Sequence, residues 1–149
     1  MTSATREKVL RSALKPIGRL HVAVYRASGG RVGGGIWGLG ILLLTTTGRK
    51  TGKPRTTPLC FLRDGDALVV VASNGGSSRA PGWWLNLRHD GRATVEIGPE
   101  RRTVTARQAS PEERRRLWGE ITRIAPGYLA YQARTRRTIP LAVLEPADG

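Results

Sequence analysis

The sequence is poor in the residues that build metal sites and disulfides. It contains one cysteine, Cys60, and two histidines, His21 and His89, which lie far apart in the chain. A single cysteine excludes an internal disulfide and a multi-cysteine metal site, and the histidines have no ligand-like neighbours, so we expect no metal. Cys60 sits in the apolar run PLCFL and is interpreted as a buried hydrophobic residue. If the chain is an enzyme, a bound organic cofactor must therefore carry the chemistry.

Acidic residues and long apolar runs are scarce as well. The 11 Asp and Glu residues are outnumbered by 25 Lys and Arg, which gives a net charge of +14. Such an excess implies an anionic partner, but charge alone does not choose between nucleic acid, anionic lipid and an acidic small molecule. No apolar run approaches the roughly 18 residues of a membrane span, and the N-terminus lacks a signal-peptide pattern. The sequence therefore predicts a cytoplasmic protein of one domain.

Residues 1–28 predict a basic amphipathic helix, either continuous or divided near Pro16. Leu10, Leu14 and Ile17 repeat at roughly helical spacing, while arginines and lysines occupy the other faces. A helix of this kind is typical of two situations, packing on its own domain or peripheral contact with an anionic membrane surface. Packing on the domain is the interpretation that we favour, and contact with the inner face of the cell membrane stays open.

The glycine-rich residues 29–40 are predicted to be a linker to a domain that spans residues 41–146. Strand-like runs dominate this domain, and they are GILLLTTT, RTTPLCFLRDG, ALVVVASN, ATVEIG, RTVTARQAS and TIPLAVLEP. Short helices are predicted at PGWWLNLRHDG, from the capping box at Ser110 to about Ile124, and from Tyr128 to Arg134. Short strands in series with a few helices indicate an α+β fold, mainly β, built as an antiparallel sheet or small barrel.

The run GRKTGKPR, residues 48–55, is an unusually cationic turn between two predicted strands. Its cations are Arg49, Lys50, Lys53 and Arg55. It is not a nucleoside triphosphate loop, because only three residues separate Gly48 from Gly52 and Pro54 stands where a hydroxyl is required. Backbone N–H groups in such a turn can still form an anion-binding concavity. The turn contains no aromatic residue, which argues against nucleic acid. An ordinary exposed hairpin is the alternative.

Two further stretches combine small polar groups with aromatic rings. In ASNGGSSRAPGWWLNL, Ser73 and Asn74 end an apolar strand, and Trp83 follows where it can stack on a flat ligand or fill the core. In PGYLAYQ, Tyr128 and Tyr131 are three residues apart and share a helix face. A tyrosine hydroxyl can donate to a developing oxyanion, although two aromatic residues at a domain edge are the plainer interpretation.

Taken together, these stretches resemble the deazaflavin-dependent nitroreductase family of actinobacteria, in its quinone- and nitro-reducing branch. The similarity extends over about residues 20 to 146, and its most specific part is T-T-G-R-K-T-G followed by A-S-x-G-G and P-x-W-x-x-N-L. The resemblance implies a split β-barrel of the FMN-binding, flavin-reductase type. About six antiparallel strands, an N-terminal helix and two or three short helices are expected. It also implies binding of coenzyme F-420, an 8-hydroxy-5-deazaflavin whose tail carries a phosphate and several glutamates.

The activity that the resemblance implies is hydride transfer from reduced coenzyme F-420 to a small electron acceptor. That acceptor is expected to be a quinone, lipid-soluble or not, or another activated electron-poor compound such as a nitro compound or enone. Two alternatives remain, which are an oxidoreductase that binds FMN in the same barrel and a non-catalytic carrier or storage protein for coenzyme F-420.

The family pattern assigns roles to individual residues. The expected cofactor-binding residues are Thr47, Gly48, Arg49, Lys50, Thr51, Gly52, Arg55, Thr57, Pro58, Ser73, Asn74, Gly75, Gly76 and Trp83. The expected catalytic residues are Tyr128, Tyr131 and Ser73. Two positions depart from the pattern, because Ala125 stands where close relatives carry tyrosine and Asn74 where they can have lysine. We therefore expect an altered substrate wall.

Overall fold

The computed structural model describes residues 19–28, 35–36 and 39–147. The strands are β1 (Gly35–Ile36), β2 (Leu39–Thr47), β3 (Pro54–Asp64), β4 (Ala67–Val71), β5 (Arg92–Ile97), β6 (Glu100–Gln108) and β7 (Leu141–Pro146). The helices are α1 (residues 19–27), α2 (Gly82–His89), α3 (Pro111–Ile124) and α4 (Gly127–Ala133), with a 3₁₀ turn at Asn74–Gly76. The first 18 residues of the predicted N-terminal helix and most of the predicted linker lie outside the described residues.

Six antiparallel strands close into a barrel in the order β2, β3, β4, β7, β6, β5 and back to β2. The closing pairing joins Leu43 of β2 to Glu96 of β5. The mainly β fold with about six antiparallel strands is therefore confirmed, as are three short helices after the barrel begins. The segment assigned to a linker differs from the expectation, because Gly35 pairs with Gly40 and β2 already begins at Leu39.

The apolar residues pack on both faces of the barrel wall. Leu42 and Leu44 of β2 point to a cluster that includes Phe61, Trp84 and Leu87, so α2 contributes to the same core as the strands. A second cluster packs α3 and α4 against β4 and β7, and its members include Leu39, Val69, Val71, Leu117, Ile121, Tyr128, Leu141 and Val143. Strands covered on both faces read as continuous apolar runs instead of an alternating pattern, which explains ALVVV in β4.

The capping box predicted at Ser110 forms as expected, and a tight turn joins β3 to β4. Gly65 adopts a φ of 61° in the two-residue connection between β3 and β4, a conformation that favours glycine. Ser110 Oγ accepts the N–H of Glu113 at 3.2 Å, and the Glu113 carboxylate accepts the N–H of Ser110 at 2.9 Å. The Arg107 guanidinium, together with the Ser110 N–H, lowers the pKa of Glu113 to about 2. The start of α3 is thus fixed by a capping box and an ion pair.

The described part of the N-terminal helix packs on the barrel, as the favoured interpretation predicts. Tyr25 is 1% exposed, and its hydroxyl donates to the carbonyl of Ile41 at 2.9 Å and accepts the N–H of Gly98 at 2.9 Å. Nearby, the Arg26 guanidinium forms a two-pronged ion pair with Glu96, at 3.1 and 2.8 Å. In the parts of the chain that the structure describes, no helix is long and apolar enough to cross a membrane.

Replacing Tyr25 with phenylalanine tests whether this hydroxyl anchors α1. We expect Tyr25→Phe to lower the free energy of unfolding by about 1–3 kcal/mol, because the N–H of Gly98 then loses its acceptor in a partly buried place. Urea unfolding measures the change. The matched control is Arg26→Ala, which should cost less than about 1 kcal/mol because its ion pair is exposed to water. Equal losses in the two variants would contradict the anchoring role.

Candidate functional site

The cationic turn between β2 and β3 is compact. The N–H of Gly48 donates to the carbonyl of Lys53 at 2.8 Å, and the N–H of Gly52 donates to the carbonyl of Gly48 at 2.8 Å. A Cβ on Gly48 would lie 2.9 Å from Oγ1 of Thr51 and 3.1 Å from the carbonyl oxygen of Lys53. Gly52 has a φ of 71°, which favours glycine for a conformational reason. The two glycines therefore allow the chain to fold tightly and direct its cationic side chains outward.

Helix α2 meets this turn through one buried polar side chain. Asn86 is 5% exposed, and its Oδ1 accepts the backbone N–H of Arg49 at 3.1 Å and Nη1 of the Arg49 guanidinium at 3.0 Å. Its Nδ2 donates to Oγ1 of Thr46 at 3.1 Å. The amide thus joins the end of β2, the start of the turn and the body of α2.

A groove of about 830 Å³ runs between the turn, the first half of β3, α1 and α2. Its lining consists of Arg19, Val22, Gly48, Arg49, Lys50, Thr51, Pro54, Arg55, Thr56, Thr57, Pro58, Asn74, Pro81, Gly82, Trp83 and Asn86. Four of the described lining residues are cationic. No residue of this described lining is Asp or Glu. Because no carboxylate neutralises the cations in the groove wall, the groove is suited to a ligand that carries several negative charges.

The segment from Ser73 to Gly76 is held by other contacts. Arg137 donates to the carbonyl oxygens of Ala72, Ser73 and Ser77 at 2.8–3.2 Å, and burial lowers the pKa of its guanidinium. A Cβ on Gly76 would lie 2.7 Å from the carbonyl oxygen of Tyr131, so this glycine is required by the close approach of α4. Of the four residues 73–76, Asn74 lines the groove.

Tyr128 lies in the core cluster under α3 and α4. It is 6% exposed, and its ring meets that of Tyr131 edge to face with centroids 5.8 Å apart. Its hydroxyl is hydrogen-bonded to the thiol of Cys60, and burial raises the pKa of both groups. Ala125 is 1% exposed at the end of α3 in the same cluster. Because burial raises the pKa of its hydroxyl, Tyr128 stays protonated at neutral pH.

The predicted site residues divide into two groups. The groove brings together Gly48, Arg49, Lys50, Thr51, Arg55, Thr57, Pro58, Asn74 and Trp83. The residues that do not line it are Thr47, Gly52, Ser73, Gly75, Gly76, Tyr128 and Tyr131. The predicted binding residues are thus largely gathered in one place, whereas the predicted catalytic residues lie outside the groove lining.

Sequence reasoning missed several lining residues. Arg19 and Val22 belong to α1, and nothing in their local sequence predicts that the helix would lie beside the turn. Asn86 had a detectable signal, because it is a polar residue in the apolar helix sequence GWWLNL and matches the family motif. Within the described residues no group of three His, Cys, Asp or Glu side chains could hold a metal ion.

A closed six-stranded antiparallel barrel with a cationic groove defines a split-barrel protein with a site suited to an anionic ligand. Comparison with known proteins gives the family. The chain belongs to the F-420H(2)-dependent quinone reductase family, whose model matches residues 17–146.

Individual relatives agree with this assignment. An F-420H(2)-dependent quinone reductase of Mycobacterium tuberculosis is 47% identical over 130 residues, which cover 85% of this chain and 87% of the relative. A solved F-420-H2-dependent reductase is 36% identical with a TM-score of 0.65, over 70% of this chain and 93% of that one. A heme-binding protein from Mycobacterium smegmatis, at 18% identity and a TM-score of 0.53 over 73% of this chain and 47% of that one, shares the fold alone.

Proposed function

We propose that this protein is a reductase that transfers hydride from reduced coenzyme F-420 to a quinone or another activated electron-poor acceptor. The observation that carries the proposal is the groove, where four cationic side chains and no described carboxylate line a volume of about 830 Å³. Membership of the F-420H(2)-dependent quinone reductase family supports the same cofactor and the same class of acceptor.

The donor set of the groove fits the tail of coenzyme F-420, which carries a phosphate and several glutamates. Arg49 and Arg55 can each grip a phosphate or carboxylate with two parallel N–H donors, and Lys50 adds a point charge. Arg19 supplies a fourth cation from α1. FMN carries a single phosphate, so four cations spread along one groove match the longer polyanionic tail better than FMN.

The remaining groove residues would hold the ring system. Trp83 is 7% exposed and lines the groove together with Pro58 and Pro81, so these three residues supply apolar surface. When bound, the coenzyme supplies the hydride chemistry, since deazaflavins donate from a ring carbon. The chain's own contribution is to bind the tail, fix the ring against this apolar surface and exclude water from it.

Binding and turnover can be measured together to test this function. Mixing the protein with reduced coenzyme F-420 and a panel of quinones and nitro compounds should restore the absorbance of the oxidised coenzyme. Arg55→Ala should raise the dissociation constant of the coenzyme about tenfold or more at low salt, because a charge-assisted hydrogen bond is lost. The difference should shrink as salt screens the exposed charges.

The control for this experiment is Arg63→Ala, which removes the same charge from the same strand. Arg63 lies over the ring of Phe61 and outside the groove lining, so its loss should leave the dissociation constant unchanged. Tight binding without acceptor-dependent reoxidation would indicate a carrier protein, and preferential binding of FMN would indicate the FMN-dependent alternative. Either result would contradict the proposed function.

The role of Tyr128 is a separate question, because contact with the substrate stays a prediction. Its burial and its hydrogen bond to Cys60 favour a packing role. We expect Tyr128→Phe to lower the free energy of unfolding by about 0.5–1.5 kcal/mol through the lost hydrogen bond, with the turnover number within about threefold of wild type. Urea unfolding and steady-state kinetics measure the two effects. A fall of a hundredfold or more in turnover at unchanged cofactor affinity would instead establish the substrate contact.

Contact with a membrane would suit a lipid-soluble quinone. Leu20 and Val24 are 65% and 37% exposed and lie one helical turn apart on α1, which also carries cationic residues. Replacing both with serine should weaken co-sedimentation with anionic phospholipid vesicles about tenfold, because an apolar contact with the membrane is lost. Leu129→Ser, at an exposed leucine on α4, is the matched control. Equal sedimentation of all variants would remove this proposal.

A further inference from the structure

We propose that Asn86 is a positioning residue of the cofactor site, which fixes the guanidinium of Arg49 in the groove. The inference rests on the proposed function for the identity of the ligand, but its geometry belongs to the chain alone. Asn86 is a polar side chain that is 5% exposed in the middle of α2, and it is not among the residues that the family pattern assigns to cofactor binding. A buried amide of this kind is retained only when its hydrogen bonds are satisfied.

The hydrogen bonds of Asn86 determine which part of Arg49 faces the ligand. Nη1 of Arg49 donates to Oδ1 of Asn86 at 3.0 Å and lies 3.5 Å from the carbonyl oxygen of Gly82. Both contacts use the same nitrogen, so Nε and Nη2 are the donors that would meet a groove anion. Their N–H bonds are parallel, which is the geometry that a phosphate or carboxylate accepts in bidentate fashion.

The same amide also fixes the backbone of the turn. Oδ1 accepts the N–H of Arg49 at 3.1 Å, while Nδ2 donates to Oγ1 of Thr46 at 3.1 Å. The donor to Thr46 sets the orientation of the amide and keeps its oxygen toward Arg49. A free arginine side chain loses much rotamer entropy on binding, so a pre-ordered one binds an anion with less entropic cost.

Trp83 lies three residues before Asn86 on the same helix. The amide therefore fixes the start of α2, which carries Pro81 and Trp83, in its position relative to the cationic turn. In this arrangement, Asn86 acts through Arg49 and the turn, without needing to touch the ligand itself.

A double-mutant cycle separates this role from a merely structural one. The dissociation constant of oxidised coenzyme F-420 is measured for wild type, Asn86→Ala, Arg49→Ala and the double variant, with kcat and KM for one quinone. Each single variant should weaken binding about tenfold or more, because it loses a pre-ordered charged contact, whereas kcat at saturation should change less than about twofold. The double variant should be little weaker than either single one, since both remove the same contact.

The control is Ile121→Val, which destabilises the other core cluster and should leave the dissociation constant unchanged. Fully additive losses in the cycle, or wild-type affinity in Asn86→Ala, would overturn the inference. A second readout needs no ligand, because backbone amide exchange of Arg49 followed by NMR should be at least about tenfold faster in Asn86→Ala once its acceptor is lost. If wild type failed to bind coenzyme F-420, the proposed function would fall, and the exchange rate would still show whether Asn86 holds the backbone of the turn at Arg49.

Discussion

The pairing of β2 along both of its edges is the constraint on which the rest of the structure depends. Residues 40–47 pair with β3, and Leu43–Thr45 pair at the same time with β5, which closes the barrel. Each of the six barrel strands has a partner on both sides, so the direction of β2 and the place where it ends are fixed. Its first half receives the Tyr25 hydroxyl at Ile41, and its last residues meet Asn86 at Thr46. Strand β2 therefore fixes the positions of α1, of α2 and of the cationic turn.

The groove and the rest of the described surface differ in how their charges are paired. The carboxylates that form ion pairs lie outside the groove, where Asp64 meets Arg116, Glu96 meets Arg26 and Glu113 meets Arg107. Because these pairs are exposed, they contribute little to stability. They do, however, neutralise arginines elsewhere on the surface. The cations of the groove have no carboxylate in the described lining, so its potential stays positive and attracts a polyanion.

Much of the architecture could be predicted from local sequence, because turn chemistry and apolar runs act over short distances. The glycine positions of the turn, the capping box at Ser110 and the presence of the main strands all follow from neighbouring residues. The position of Tyr128 could not be predicted in this way, because three-residue spacing shows that two tyrosines share a face but not which face meets the core. The need for glycine at Gly76 could not be predicted locally either, since it arises from the backbone of Tyr131, which is distant in sequence. Arg19 reaches the groove only through the tertiary anchoring of α1.

The presence of both cations and apolar residues in the groove lining has a consequence for acceptor choice under the proposed function. The cationic side chains of the groove would recognise a tail, whereas Val22, Pro58, Pro81 and Trp83 offer few hydrogen bonds to a second molecule. An apolar wall discriminates weakly between molecules of similar size, while a polar wall rejects an unmatched partner strongly, because its own buried groups would be left unpaired. Under the proposed function, we expect these four residues to discriminate between acceptors by electron deficiency and flat shape more than by substituents.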